Sequence, residues 1–219
     1  MRVALFSATR PKYGGYKDAA PYPFNFFISP TIMTNTPSSQ PRYTPHPDKV
    51  SEKGCVSFIG MAAAGKTTIG RELSSFIGWP SLDADHLIES VYGVRLQDVA
   101  DKLTKDEFLD LESKAILSIN VQRTILSTGG SAVYRPQTME YLRTLGPIIY
   151  IAVPLPIILT RIARKPERGL VMDPGQTIED LYNERAILYK KYATWTVEGG
   201  EAPATYYAEE IARWLSKSA

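Results

Sequence analysis

Sulfur and imidazole ligands are scarce in this chain: Cys55 is its single cysteine, and His46 and His86 are its only histidines. One thiol excludes an internal disulfide framework and any multi-thiolate metal site, and it suits a reducing compartment. Two histidines make histidine-rich metal chemistry a poor expectation. Long apolar runs are also missing. No stretch reaches the roughly 18 residues that a membrane-crossing helix needs, and the most apolar one, Ile148 to Leu159, is broken by Pro154 and Pro156. Charge of either sign is nearly cancelled, 25 Lys and Arg against 23 Asp and Glu, leaving +2. That balance supplies no long-range attraction to nucleic acid or to an anionic membrane, so neither is an expected partner. A small charged metabolite is compatible with it, and a cytoplasmic location is expected.

Acids are nearly absent from residues 1–50, where Asp18 and Asp48 stand alone among eight of the sixteen prolines. Low periodicity with that composition predicts that residues 1–53 form a largely disordered extension. A targeting peptide, a functional arm, and residues upstream of a start at Met33 are three competing accounts of it. Residues 54–219 are the expected domain, since 219 residues suffice for one well-buried core but not for two large ones.

What the chain does have is alternation of β-branched runs with amphipathic segments. Strands are predicted at Cys55–Ile59, Pro80–Asp83, Thr124–Ser127, Ile148–Val153 and Trp195–Val197. Helices are predicted near Thr67–Ile77, Asp85–Tyr92, Lys105–Asn120, Pro136–Leu145, Pro156–Ala163, Ile178–Ala193 and Ala204–Ser216. Thr104 with Glu107 reads as a capping box, Pro136 as a first-turn residue and Gly146 as a stop. Repeated βαβ units imply a three-layer α/β/α fold around a central five-stranded parallel sheet. No large apolar surface remains once the helices are assigned, so a monomer is expected.

The strongest local signal is Gly60-Met-Ala-Ala-Ala-Gly65-Lys66-Thr67, a full G-x-x-x-x-G-K-[ST] match set between a strand and a helix. Such a turn points successive backbone N–H groups inward, and the following helix adds its positive end, so phosphate oxygens bind there. Gly60, Met61, Ala62, Ala63, Ala64, Gly65, Lys66, Thr67 and Thr68 are therefore candidate nucleotide-binding residues. Lys66 carries a mobile cation for the β and γ phosphates. The Thr67 hydroxyl is a candidate ligand of Mg²⁺, which keeps several waters and bridges phosphate oxygens. The motif by itself does not choose among kinase, GTPase and motor ATPase.

Seventeen residues after Lys66, the second strand ends in Leu82-Asp83-Ala84-Asp85, and strand ends on this edge of a parallel sheet face the ligand crevice. Asp83 is placed to hold a magnesium water, and Asp85 to orient an attacking hydroxyl or take its proton. Acids here also suit a helix N-terminus through capping and the macrodipole.

This arrangement, Gly60–Thr67 followed by Asp83-x-Asp85, resembles the shikimate kinase family, and the likeness runs through most of residues 55–217. Phe108-Leu109-Asp110-Leu111-Glu112 stands in place of the family's Phe-Arg-x-x-Glu. Thr128-Gly129-Gly130-Ser131-Ala132-Val133 is similar to its Thr-Gly-Gly-Gly-Ala-Val loop. Arg168-Gly169-Leu170-Val171 is similar to its Arg-Pro-Leu-Leu lid motif, and Glu184-Arg185-Ala186-Ile187-Leu188-Tyr189 to its Glu-Arg-x-x-x-Tyr helix. The resemblance implies a Mg²⁺- and ATP-dependent kinase of a small carboxylated alcohol, shikimate foremost, in aromatic amino-acid biosynthesis. It implies that Asp83 serves the metal, that Asp85 contacts the acceptor hydroxyl, and that Gly129 and Gly130 line the acceptor pocket with Glu112. Arg185 would bind the acceptor carboxylate, Arg168 would close over the phosphates, and Arg161 would pack beside adenine. Lys66, Asp85 and Arg168 are then the candidate catalytic set. A mobile lid fits Lys165–Thr177, where Pro166, Gly169, Pro174 and Gly175 prevent a continuous helix. Arg161, Arg164 and Arg168 also read as a solvated basic helix end, and Arg185 as a surface residue.

Two positions depart from the pattern. Leu109 replaces the motif arginine that shares the acceptor carboxylate with Arg185, and Ser131 replaces a third glycine where backbone should approach the ligand closely. Losing one of two clamps on a charged group costs about 1.5 to 3 kcal/mol. Arg135 or Arg123 are candidate substitutes for shikimate. Alternatively, Glu112 and Asp110, freed from a cationic neighbour, attract the ammonium of an amino-acid alcohol such as homoserine, or Phe108, Leu109 and Leu111 are ordinary core-facing residues of a helix on which Asp110 is solvated. A third reading, from another class, is a catalytically silent nucleotide-binding protein; intact Lys66, Thr67, Asp83 and Asp85 argue against it.

Overall fold

The computed structural model describes residues 54–164 and 170–216. All five predicted strands form: β1 Val56–Ile59, β2 Ser81–Asp83, β3 Ile125–Ser127, β4 Ile148–Ala152 and β5 Trp195–Glu198. They pair in the order β2-β3-β1-β4-β5, every pairing parallel. β1 and β3 are buried along their whole length, and β4 at all but its last residue. This is why Val56-Ser-Phe-Ile reads as a continuous rather than an alternating run: helices cover both faces of the sheet. The α/β architecture expected from the alternation is the one the chain adopts.

The helices are α1 Lys66–Ile77, α2 Ala84–Tyr92, α3 Leu96–Ala100, α4 Lys105–Leu117, α5 Pro136–Leu145, α6 Leu155–Ala163, α7 Ile178–Tyr192 and α8 Ala204–Ser216. Capping chemistry sets several of their ends. Thr104 and Glu107 form the expected capping box of α4, Thr177 and Asp180 form a second at α7, and Pro136 opens α5. α5 stops at Gly146, whose φ of +151° and closeness to the Cys55 carbonyl (2.1 Å from an added Cβ) admit no side chain.

Three differences from the periodicity are instructive. α4 ends at Leu117 instead of Asn120, because the chain tightens into an i→i+3 bond from Ile119 N–H to Ile116 O. α3 and a single 3-10 turn at Ala132–Tyr134 were not anticipated, being too short to show a helical period. The expected lid falls partly on residues 165–169, which lie outside the described residues, as does Arg168.

β1 has β3 on one side and β4 on the other, so the chain departs from the sheet centre toward both edges. The crevice beyond the carboxyl end of such a switch point is where open α/β sheets receive ligands.

Candidate active site

The Gly60–Thr67 loop leaves β1 and enters α1 in backbone conformations that its small residues permit. Gly60 has φ +143°, and a Cβ there would lie 2.7 Å from the Ile151 carbonyl oxygen. Gly65 has φ +98° and Ala63 φ +63°, so two departures from right-handed backbone, two residues apart, curl the loop. The Lys66 side chain is buried and folds inward over this turn, donating to the carbonyls of Gly60 (2.7 Å) and Met61 (2.8 Å). Its cation is thereby held at the place where phosphate oxygens would exchange for those carbonyls. Arg161, from α6, donates to the carbonyls of Ala63 and Ala64 (3.3 and 3.5 Å) and to Gly200, bracing the outer side of the loop.

Asp83 ends β2 and caps α2. Its Oδ1 accepts the N–H groups of Asp85 (3.0 Å) and His86 (3.3 Å), while its Oδ2 accepts the Thr67 hydroxyl at 2.5 Å. Cap and metal ligand are thus compatible readings of one side chain: the capping bonds orient the carboxylate, and its other oxygen meets Thr67. A hydroxyl and a carboxylate in contact are hard oxygen donors, the set that suits a Mg²⁺ ion taking its remaining ligands from water and phosphate.

Asp85, half-buried, opens on the same crevice. A Cβ built on Gly129 would lie 2.8 Å from Asp85 Oδ1 and 1.9 Å from Glu112 Oε1, so both carboxylates crowd one face of that glycine. No side chain fits at 129. Glu112 comes from α4, is 1% exposed, and accepts the Ser131 hydroxyl at 2.7 Å. Burial, with the nearby Asp85 charge, pushes its carboxyl up to about 7 from 4.5; the Ser131 hydrogen bond and the more distant Arg185 and Lys66 oppose this without reversing it.

Arg185 is 2% exposed, in the middle of α7. Its Nε donates to the Tyr134 hydroxyl (3.3 Å), its NH2 group donates to the Val171 carbonyl (2.8 Å), and its guanidinium lies 5.2 Å from the Tyr134 ring centre. Among the described residues no carboxylate comes within the 4.0 Å of an ion pair with it. A buried guanidinium held by neutral groups is a ready anion site. Gly130 adjoins it, with an added Cβ 3.0 Å from Arg185 NH1, and the Gly130 carbonyl accepts the Tyr189 hydroxyl at 2.6 Å.

These groups line one cleft of about 1110 Å³ that runs from Arg161 and the loop, past Thr67, Asp83 and Asp85, to Glu112, Gly129, Gly130 and Arg185. Arg185 is not the surface residue that helical periodicity allows. Tyr134, which aims it, was missed because the 3-10 turn carrying it has no sequence period of its own.

Four expectations about the departures need correction. Asp110 is not freed toward the pocket: it is exposed and takes Arg135 Nε at 2.8 Å. Arg135 is held by Asp110 and Asp106 on the outside of α4, so it is no substitute clamp. Arg123 lies 5.9 Å from the Trp79 ring centre, at the start of β3 and the far end of the sheet. Ser131 does not disturb the backbone, which is right-handed there (φ −91°); its hydroxyl supplies a partner for Glu112. Leu109 itself is buried (3% exposed) and does not line the cleft.

A family model described as Shikimate kinase matches residues 62–216. The chain is 32% identical over 176 residues to a shikimate kinase of Nitratidesulfovibrio vulgaris, covering 77% of this chain and 99% of that one. Among solved structures it is similar to shikimate kinase from Acinetobacter baumannii in complex with shikimate, with TM-score 0.69, 29% identity, and coverage of 74% of this chain and 93% of that one. Shikimate kinase from Aquifex aeolicus superposes with TM-score 0.62 at 25% identity, covering 74% and 95%.

Proposed function

The chain belongs to the shikimate kinase family, and from that premise we propose that it transfers the γ-phosphoryl group of ATP, with Mg²⁺, to a hydroxyl of a small carboxylated metabolite. The observation that carries this reading is the single cleft in which the phosphate loop, Asp83 and Asp85 face a buried Arg185. Shikimate, phosphorylated within aromatic amino-acid biosynthesis, is the acceptor that the family relation supports. A second acceptor class, an amino-acid alcohol such as homoserine, is the alternative raised by Leu109, an alkyl side chain where the family motif has an arginine.

In this reading the loop amides and Lys66 receive the β and γ phosphates as Lys66 releases the Gly60 and Met61 carbonyls. Thr67 and Asp83 would hold Mg²⁺, which when bound neutralises phosphate charge. Arg185 fixes the acceptor carboxylate, and Gly129 and Gly130 let the acceptor lie against backbone. Asp85 orients the acceptor hydroxyl and takes up its proton as the hydroxyl oxygen bonds the γ-phosphorus and the bond from that phosphorus to the β–γ bridging oxygen breaks, releasing ADP. Arg161 steadies the loop from behind, and Arg168, outside the described residues, is the candidate to close over the phosphates.

ADP release with Mg-ATP, measured with shikimate, homoserine, gluconate and no acceptor, tests the proposal. Acceptor-dependent release supports it. ATP binding without release for any acceptor favours the silent nucleotide-binding alternative.

A further inference from the structure

The buried guanidinium of Arg185 points its three nitrogens three ways. Nε donates to the Tyr134 hydroxyl (3.3 Å) and the NH2 group to the Val171 carbonyl (2.8 Å), while NH1 lies toward Gly130 on the wall of the cleft. Two neutral oxygens therefore set the roll of the guanidinium without cancelling its charge. A carboxylate in either place would orient it as well, but would take up the charge that an incoming anion needs. The turn that carries Tyr134 is itself fixed: Tyr134 N–H donates to the Ser131 carbonyl (3.0 Å), and the Gly130 carbonyl accepts the hydroxyl of Tyr189, one turn beyond Arg185 on α7. A cation also supports the ring. Lys105, the first residue of α4, lies 5.3 Å from the Tyr134 ring centre and pairs with Asp173 at 2.6 Å, two residues after Val171. Asp173 N–H donates to Gln176 Oε1 (3.1 Å), and Gln176 Nε2 donates to Glu184, the neighbour of Arg185 (2.7 Å).

We infer that Tyr134, braced by Lys105, is a positioning residue for the acceptor carboxylate, acting through Arg185. This rests on the kinase reading above and deepens it, by separating recognition of the carboxylate from the rest of acceptor binding. Neither Tyr134 nor Lys105 is among the residues that line the cleft, so what they do for an acceptor passes through Arg185. Ordering a long side chain on binding costs free energy, and a guanidinium already held in its bound orientation spares the acceptor that cost. Burial holds the Tyr134 hydroxyl above its ordinary value, against the Arg185 hydrogen bond and with Glu184 adding to the rise. It therefore stays a neutral hydroxyl and gives Arg185 an oxygen without a competing charge. Without that oxygen the buried Nε–H would lose its partner, and the guanidinium would be free to turn away from Gly130.

Tyr134→Phe keeps the ring and its cation contacts and removes the oxygen. The readout is a matched pair: the acceptor that the full chain turns over with Mg-ATP, shikimate or homoserine, and the methyl ester of the same acid, which keeps every hydroxyl and loses the negative charge. The wild-type chain should favour the acid by at least about tenfold in kcat/KM. Tyr134→Phe should raise the KM for the acid by about tenfold, the worth of a hydrogen bond to a charged group, with kcat changed by less than about threefold and the ester KM by less than about twofold. Lys105→Met should move the acid KM the same way by about threefold, and Lys105→Arg, which keeps the cation, should not. Equal use of acid and ester by the wild-type chain overturns the inference without any variant, so a Tyr134→Phe protein that did not fold would not shelter it. Equal rises in KM for both acceptors would make Tyr134 a general support of the pocket and also overturn it, as would an unchanged acid KM in Tyr134→Phe or in Lys105→Met. Each of these results leaves the kinase reading standing, whereas absence of ADP release with any acceptor would remove both.

Discussion

Two carboxylates within reach of one glycine are asked to behave differently. Asp85, half-buried near the loop, is the proposed proton acceptor for the attacking hydroxyl. Replacing it with Asn should lower kcat by about 10² to 10⁴ while leaving ATP affinity within a few-fold; a parallel fall in nucleotide binding, read by titration, would show that Asp85 belongs to the nucleotide side. Glu112 is held above its ordinary value, about 7 against 4.5, mainly by burial. With the folded value raised, the unfolded chain gives up this proton first, so the contribution to stability falls as pH rises from about 4.5 to about 7 and stays lost above that. The full effect is of the order of 3 kcal/mol. Glu112→Gln should therefore raise Tm by several degrees at pH 8 and by much less at pH 5, even as it impairs acceptor use. Equal Tm shifts at both pH values would place Glu112 in a less desolvated setting. A stability gain paired with a functional loss is the behaviour expected of a group kept for binding.

The hinge of the site is the junction of β2 and α2. Asp83 caps the helix with one oxygen and meets Thr67 with the other, so its two tasks are separable by substitution. Asn is as good a cap as Asp but carries no charge for a cation. Asp83→Asn should leave the nucleotide-free Tm within about a degree and weaken the Mg²⁺ dependence of ATP binding, whereas Asp83→Ala should also cost about 1 kcal/mol of stability. Thermal unfolding without nucleotide and Mg²⁺ titration in its presence read the two effects independently. Equal Tm values for the Ala and Asn proteins would refute the capping half. Most of this element-level arrangement was legible beforehand. The phosphate loop, both capping residues of α4 and the acid pair after β2 announce themselves through short-range spacing. α3 and the Ala132–Tyr134 turn did not, because one turn of helix leaves no periodic trace.

For the molecule as a whole, Pro-rich composition and scarcity of acids separate residues 1–53 from the rest, and we propose that residues 54–219 carry the kinase activity. That segment expressed alone should unfold in one cooperative transition and match the full chain in acceptor-dependent kcat/KM; a loss beyond about tenfold would assign the first segment a part in the site. Among the described residues no helix is long and apolar enough to cross a membrane.

Sequence alone determined the alternation of strands and helices, the phosphate loop and the candidate roles of Asp83 and Asp85, because each is written in residues close together in the chain, where backbone geometry leaves few alternatives. Only the tertiary structure decided which described groups meet at the acceptor end. Glu112 of α4, Ser131 after β3, Asp85 of α2 and Arg185 of α7 are distant in the chain, and no local period records which of them face one another. Nor does it record which cations, such as Arg135, are already held elsewhere. Electrostatic balance in a desolvated cleft is a property of that encounter, and so it appears only once the helices are packed.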